Sequence, residues 1–91
     1  MNIAKTMISI RTAHSFLTGK SSDIYLTYKG TEIGESNPWH VRCENFEAKG
    51  VDEQSALNLL FSIIKNELKK KISIAEIQSI QYKQGLAILE N

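Results

Sequence analysis

One long amphipathic helix, preceded by a strand and a tight turn, constrains the fold of this 91-residue sequence more than any other feature. Residues 53–71 have the hydrophobic period of an α-helix, with Asp52 as the expected N-cap and Glu53 in the first turn. The apolar side chains cover more than half of the helix circumference, so we expect the helix to lie across a sheet. They are Ala56, Leu57, Leu59, Leu60, Phe61, Ile63, Ile64 and Leu68.

The strand before this helix begins at Trp39 and alternates through Cys43. Trp39 and Cys43 fall on one face, which we assign to the core, and His40 falls on the opposite face, at the surface. Phe46 and Ala48 have the opposite parity, so we expect a bulge near residues 44–45 to return them to the core side. Lys49–Asp52 then turns the chain into the helix.

Other segments predict further strands. Residues 24–29 alternate most clearly, and residues 32–34 are interpreted as the start of a return strand. Alternation over residues 8–12 favours a strand with Ile8 and Ile10 inward, although the spacing of Ile3, Met7 and Ile10 also fits a helix. After the long helix we expect a short helical turn at residues 73–76. Two strands follow, at 78–83 and 86–89, joined by a turn at Gln84–Gly85.

These patterns predict one domain over residues 1–91. The expected class is α+β: an antiparallel sheet of three to five strands, with one long helix (about residues 52–71) packed across one face. Near the end of the helix the apolar stripe runs into Glu67 and Lys71, so its last turn is expected to project past the core.

Composition narrows the class of protein. Eleven Lys and Arg residues against ten Asp and Glu residues leave a net charge of +1, which does not match the basic character of a dedicated nucleic-acid binder. The lone Cys43 excludes an internal disulfide and favours a reducing compartment. No signal peptide or membrane span is recognisable, so we expect a cytoplasmic protein.

Motifs that would indicate catalysis or metal binding fail on spacing. The tripeptide Gly19-Lys20-Ser21 lacks the preceding glycine of a phosphate-binding loop, since residue 14 is His, and a strand rather than a helix follows it. His40 and Cys43 are three residues apart on a strand and therefore point to opposite faces. We expect no enzymatic activity, no metal and no cofactor.

The stretch from Trp39 to Leu60 combines a strand, a Gly-Val-Asp turn and a helix that opens with Glu-Gln-Ser-Ala-Leu. With the hairpin before it, residues 24–68 resemble the β-β-β-α core shared by HicB-type antitoxins and double-stranded-RNA-binding domains. The resemblance implies that the helix packs its Ala and Leu face on the sheet. The RNA-binding family has a basic cluster at the start of this helix, where the present chain has Asp52, Glu53 and Gln54.

By type, the chain resembles the small accessory proteins of phages and mobile elements, including anti-CRISPR inhibitors. The first functional hypothesis is therefore a non-enzymatic protein that binds another protein and inhibits a host defence complex by steric occlusion. The alternatives are a nucleic-acid-binding regulator, either HicB-like or similar to the RNA-binding domains, and a structural or oligomerisation module. A homodimer is left open. The candidate partner-binding residues are Lys65, Lys69, Lys70 and Lys71 at the helix end, and Tyr25 and Arg42 on the outer side of the strands.

Overall fold

The described part of the chain forms a helix, three strands and two further helices. The computed structural model of the protein describes residues 2–30, 34, 36–74 and 79–90. In chain order the elements are α1 (Ile3–Thr18), β1 (Ile24–Tyr28), β2 (Trp39–Cys43), β3 (Phe46–Gly50), α2 (Glu53–Ile74) and α3 (Ser79–Glu90). The α+β class and the antiparallel sheet are confirmed. The prediction of a single helix is wrong, since the described residues hold three.

The N-terminal segment is a helix and not the strand that its alternation favours. Ile10 is fully buried and Ile8 is 61 % exposed, so these two residues lie on opposite sides of α1 and not on one strand face. The Asn2 side chain caps the helix by accepting a hydrogen bond from Lys5 N, and the left-handed Gly19 ends it. The buried residues recur at helical spacing. They are Thr6, Ile10, Ala13, His14 and Leu17.

The three strands form one antiparallel sheet in the order β1-β2-β3. The expected bulge near residues 44–45 is instead a tight two-residue turn at Glu44–Asn45, after which β3 returns beside β2 as a separate strand. Glu44 has a left-handed backbone (φ 55°), which lets the two strands pair directly on either side of the turn. Cross-strand triplets on the inner face are Ile24–Cys43–Phe46, Leu26–Val41–Ala48 and Tyr28–Trp39–Gly50.

Helix α2 packs against this inner face, chiefly on β3 and β2. Its N-cap is the predicted one, because Asp52 Oδ1 accepts a hydrogen bond from Ser55 N at 2.7 Å. A Cβ on Gly50 would lie 2.8 Å from Ala56 Cα and against Ala56 N, so β3 and α2 approach each other as closely as backbones allow. The predicted apolar face is confirmed by the residues that are buried, namely Ala56, Leu57, Leu60, Ile64 and Leu68.

The C-terminal segment is also helical, so the strands predicted at 78–83 and 86–89 are wrong. Gly85 does not turn the chain. It lies buried where α3 crosses α1, and a Cβ there would be 2.9 Å from Phe16 Cβ. Helix α3 packs on both α1 and α2, which extends the core beyond the sheet. The return strand expected at residues 32–34 and the turn at 73–76 fall mainly outside the described residues; Ser73 and Ile74 are the end of α2.

Candidate functional site: the outer face of the sheet

The face of the sheet that α2 does not cover carries a compact set of polar and aromatic side chains. We call it the outer face: Tyr25, Thr27, Lys29, His40, Arg42, Glu47 and Lys49. These side chains, with the backbone between them, line a shallow groove of about 400 Å³. Antiparallel sheets commonly leave one face to solvent, and the alternation of each strand selects which residues lie there.

Two cross-strand rows organise the outer face. Tyr25 stands opposite Arg42, and Arg42 stands opposite Glu47. The next row joins Thr27, His40 and Lys49 in the same way, and Lys29 continues the parity of β1 beyond it. Directly opposite side chains have Cβ atoms about 5 Å apart, so the members of each row can contact one partner group together.

Positive charge predominates on the outer face. Lys29, Arg42 and Lys49 face a single carboxylate, that of Glu47. Within the described residues no carboxylate forms an ion pair with any of the three cations. Tyr25 is 58 % exposed beside them and presents a large amphipathic surface with few rotamers to lose on binding. This combination suits contact with an acidic surface that also offers apolar area.

The sequence placed two of the six candidate residues on this face. Tyr25 and Arg42 are direct cross-strand neighbours, which their strand parity alone could not establish. The other five members of the outer face were missed as site residues: Thr27, Lys29, His40, Glu47 and Lys49. Lys49 was assigned to a turn because β3 was not recognised as a strand. The structure also corrects the surface position expected for His40, which is half-buried between its neighbours.

The four lysines of α2 do not form one surface. Successive residues of an α-helix are rotated by about 100°, so Lys69, Lys70 and Lys71 diverge around the helix axis. Lys71 is half-buried, and Lys65 Nζ lies 3.9 Å from Glu90 Oε1 of α3. Helix α3 packs along this end and Leu68 is completely buried, so the core extends farther along α2 than expected. Beyond Leu68 the helix still ends in the exposed residues Ser73 and Ile74.

A second polar cluster lies between α1 and the β2–β3 turn. His14 is fully buried, its Nε2 is 3.9 Å from Glu44 Oε2, and its ring packs edge-on against Phe46 with 5.8 Å between centroids. Burial lowers the pKa of His14, and the Glu44 carboxylate opposes this shift. Burial also raises the pKa of the Cys43 thiol, the opposite of what a nucleophilic cysteine requires.

Cys43 and His40 point to opposite faces of β2, as their spacing predicts. No group of three His, Cys, Asp or Glu residues in the described part of the chain is arranged to hold a metal ion. Among the same residues, no helix combines the length and apolar character needed to cross a bilayer.

Comparison of the chain with protein-family models, with curated proteins and with solved structures finds no match in any of the three.

Proposed function

We propose that this protein is a non-enzymatic binding module whose outer face docks onto an acidic region of a protein partner. The observation that carries the proposal is the exposed Tyr25–Arg42 pair, flanked by Lys29 and Lys49 on a sheet face that no described element covers. Tyrosine and arginine are the residue types that most often dominate binding energy at protein interfaces. Positively charged side chains that flank such a pair attract an acidic partner and orient it.

Two features favour a protein over a nucleic acid as the partner. Sheet surfaces that bind single strands stack successive bases on several exposed aromatic rings, whereas the described outer face has one exposed ring, that of Tyr25, beside the half-buried His40. Tyr28 lies on the inner face against Trp39. Glu47 also places a negative charge in the lining of the groove, where a phosphate backbone would be repelled.

The specific form of this proposal is an inhibitor that covers a functional surface of a larger complex, as the small phage and mobile-element proteins do. A rigid sheet face fits that role, because its side chains are held by strand pairing and lose little freedom on binding. The cytoplasmic location and the defence-related partner remain predictions that accompany this form of the proposal.

The test compares charge reversal at two places. Arg42→Glu on the outer face and Lys70→Glu on the exposed end of α2 change the net charge equally. Each tagged variant is used to retain proteins from nuclease-treated lysate of the source cell, after circular dichroism has verified its fold. We expect Arg42→Glu to weaken retention of the partner at least about tenfold, which corresponds to ~1.4 kcal/mol, and Lys70→Glu to leave it unchanged.

Other outcomes would reassign the function. Loss of retention with Lys70→Glu alone would move the interface to the helix end. Retention that occurs from untreated lysate and disappears after nuclease treatment, together with salt-dependent binding of mixed DNA or RNA, would support the nucleic-acid regulator instead. If no partner is retained by the wild-type chain, a structural or oligomerisation module is the remaining hypothesis.

A further inference from the structure

The two edge strands of the sheet differ in how well they are protected from pairing with a strand of another chain. Strand β3 carries Glu47 and Lys49, ends in a glycine, and is the strand most extensively packed by α2. Strand β1 has the sequence Ile-Tyr-Leu-Thr-Tyr, with no charge, proline or glycine among its five residues. Charges, prolines and covering elements are the usual devices that prevent an edge from pairing with another chain. Strand β1 has none of the first two, and no strand of the described residues pairs with its outer edge.

The hydrogen bonding of β1 fixes which backbone groups point outward. Lys29 N donates to Pro38 O at 2.6 Å, so the backbone of Lys29 faces the β2 side. Because alternate residues of a strand address the same neighbour, Tyr25 and Thr27 also direct their N–H and C=O groups to β2. The groups that face the free edge belong to Ile24, Leu26 and Tyr28.

We propose that β1 pairs antiparallel with β1 of a second copy of this chain, about a two-fold axis at Leu26. A two-fold axis normal to the sheet keeps each side chain on its own face, so the axis must pass through a residue and not between two residues. Centring the axis on Leu26 aligns the whole of Ile24–Tyr28 in both copies. All three outward-facing residues then exchange backbone hydrogen bonds, about six in total.

This register brings opposite charges together. Asp23 of one copy stands opposite Lys29 of the other, and symmetry repeats the pair at the far end of the strand. The Asp23 side chain is 70 % exposed and lies 3.4 Å from Arg11, so it can accept a second cation. The charge complementarity arises from full overlap of the strands and is the reason for choosing a second copy as the occupant of this edge.

The same register brings apolar surfaces together on the inner side. Tyr28 of the second copy, 56 % exposed in a single chain, stands opposite Ile24. Ile24 borders a groove of about 450 Å³ between β1 and α1, whose apolar lining includes Ala4, Met7 and the 61 % exposed Ile8. Pairing therefore covers exposed apolar surface as well as unpaired backbone groups.

The dimer would contain one continuous six-stranded sheet. Its outer faces lie side by side, with Tyr25 of each copy opposite Thr27 of the other. The dimer would therefore present two Tyr25–Arg42 pairs on one surface. Pairing of the two β1 strands can be measured without any other partner, independently of the proposed function.

Sedimentation equilibrium of the full chain over a range of concentrations tests the dimer. We expect reversible association of the wild type, about tenfold weaker association for Lys29→Asp, and recovery for the double charge swap Asp23→Lys/Lys29→Asp, which restores opposite charges across the axis. Lys49→Asp makes the same charge change on the other edge strand and should leave the association constant unchanged. Each variant is first checked for native circular dichroism.

Amide hydrogen exchange supplies a second readout that does not depend on any substitution. The N–H groups of Ile24, Leu26 and Tyr28 should become protected as the wild-type concentration rises. Those of Tyr25 and Thr27, which already bond to β2, should be protected throughout. A chain that stays monomeric up to about 1 mM, where even weak edge contacts associate, would overturn the proposal. So would a dimer that is insensitive to Lys29→Asp and leaves Leu26 N–H in fast exchange.

Discussion

At the scale of single residues, His14 is the least ordinary feature of the core. Its side chain is fully buried, and neither ring nitrogen has a hydrogen-bond partner among the described residues. An imidazole in that position is held neutral, because charging it would require desolvation that Glu44, at 3.9 Å, only partly offsets. The folded chain therefore binds a proton at His14 less readily than the unfolded chain does.

This environment predicts acid sensitivity. The pKa of His14 lies below its ordinary value of 6.5 in the folded chain and near 6.5 in the unfolded chain. Above pH 6.5 neither state binds the proton and stability is complete. Below it the unfolded state does, so the free energy of unfolding should fall by up to about 1.4 kcal/mol per pH unit until the folded-state pKa is reached. Urea unfolding between pH 5.5 and 8 measures the loss.

Two variants isolate the source of that loss. His14→Leu, of similar volume, should remove most of the pH dependence over this range. His40→Gln leaves His14 in place and should retain it. If His14→Leu loses stability with falling pH as steeply as the wild type, another group is responsible.

At the scale of elements, α2 is the helix that packs both on the sheet and on the other two described helices. Its first turns cross the inner face at Gly50, and its later turns support α1 and α3. One stripe of the helix therefore serves two different layers of the core. Leu68 shows this most clearly, since it lies well beyond the sheet contact yet is fully buried.

Two leucines on this helix give a matched comparison. Leu68→Ala should lower the free energy of unfolding by about 2–5 kcal/mol, because it opens a cavity among three helices. Leu59→Ala removes the same atoms from a side chain that is 48 % exposed and should cost less than about 1 kcal/mol. Urea unfolding at pH 8 compares them. Equal losses would mean that α3 does not cover this end of α2 in solution.

At the scale of the whole molecule, α1 and α3 connect the two ends of the chain. Gln81 Nε2 donates to Phe16 O at 2.7 Å across 65 residues of sequence, and Gly85 lies at the crossing of the two helices. The result is an elongated molecule of 48 × 24 × 19 Å. Among the described elements, α2 is the helix that packs extensively on the sheet, and it lies on the inner face.

The crossing can be tested at Gly85. Alanine is favoured over glycine in a helix by about 1 kcal/mol, yet Gly85→Ala would place a methyl group 2.9 Å from Phe16 Cβ and 3.3 Å from Leu68 Cδ2. The Phe16 atom is bonded to the backbone and cannot swing aside, so we expect a net loss of roughly 1 kcal/mol. Ala87→Gly, at an exposed site of α3, calibrates the helix-propensity contribution. A stabilised Gly85→Ala variant would show that the helices are not in contact there.

The sequence by itself determined the parts whose signal is local. Asp52 and the apolar stripe of α2 specify a helix wherever it packs, and the alternation of residues 24–28 and 39–43 specifies strands with defined faces. The turn at Glu44–Asn45 was missed because it lacks the glycine that normally marks such a turn. In the same way α3 was missed, although Tyr82, Gly85, Leu86 and Leu89 recur at helical spacing, because Gly85 suggested a turn.

Only the tertiary structure decided what α1 and α3 are and where the candidate site lies. Short apolar segments such as residues 8–12 and 78–89 satisfy both helical and strand periods, and the choice depends on the surface available to bury them. Helix α1 and helix α3 bury each other's apolar sides on α2, contacts between distant parts of the chain that no local pattern contains. The outer face was decided in the same way, because strand register, and not sequence spacing, places Tyr25 beside Arg42.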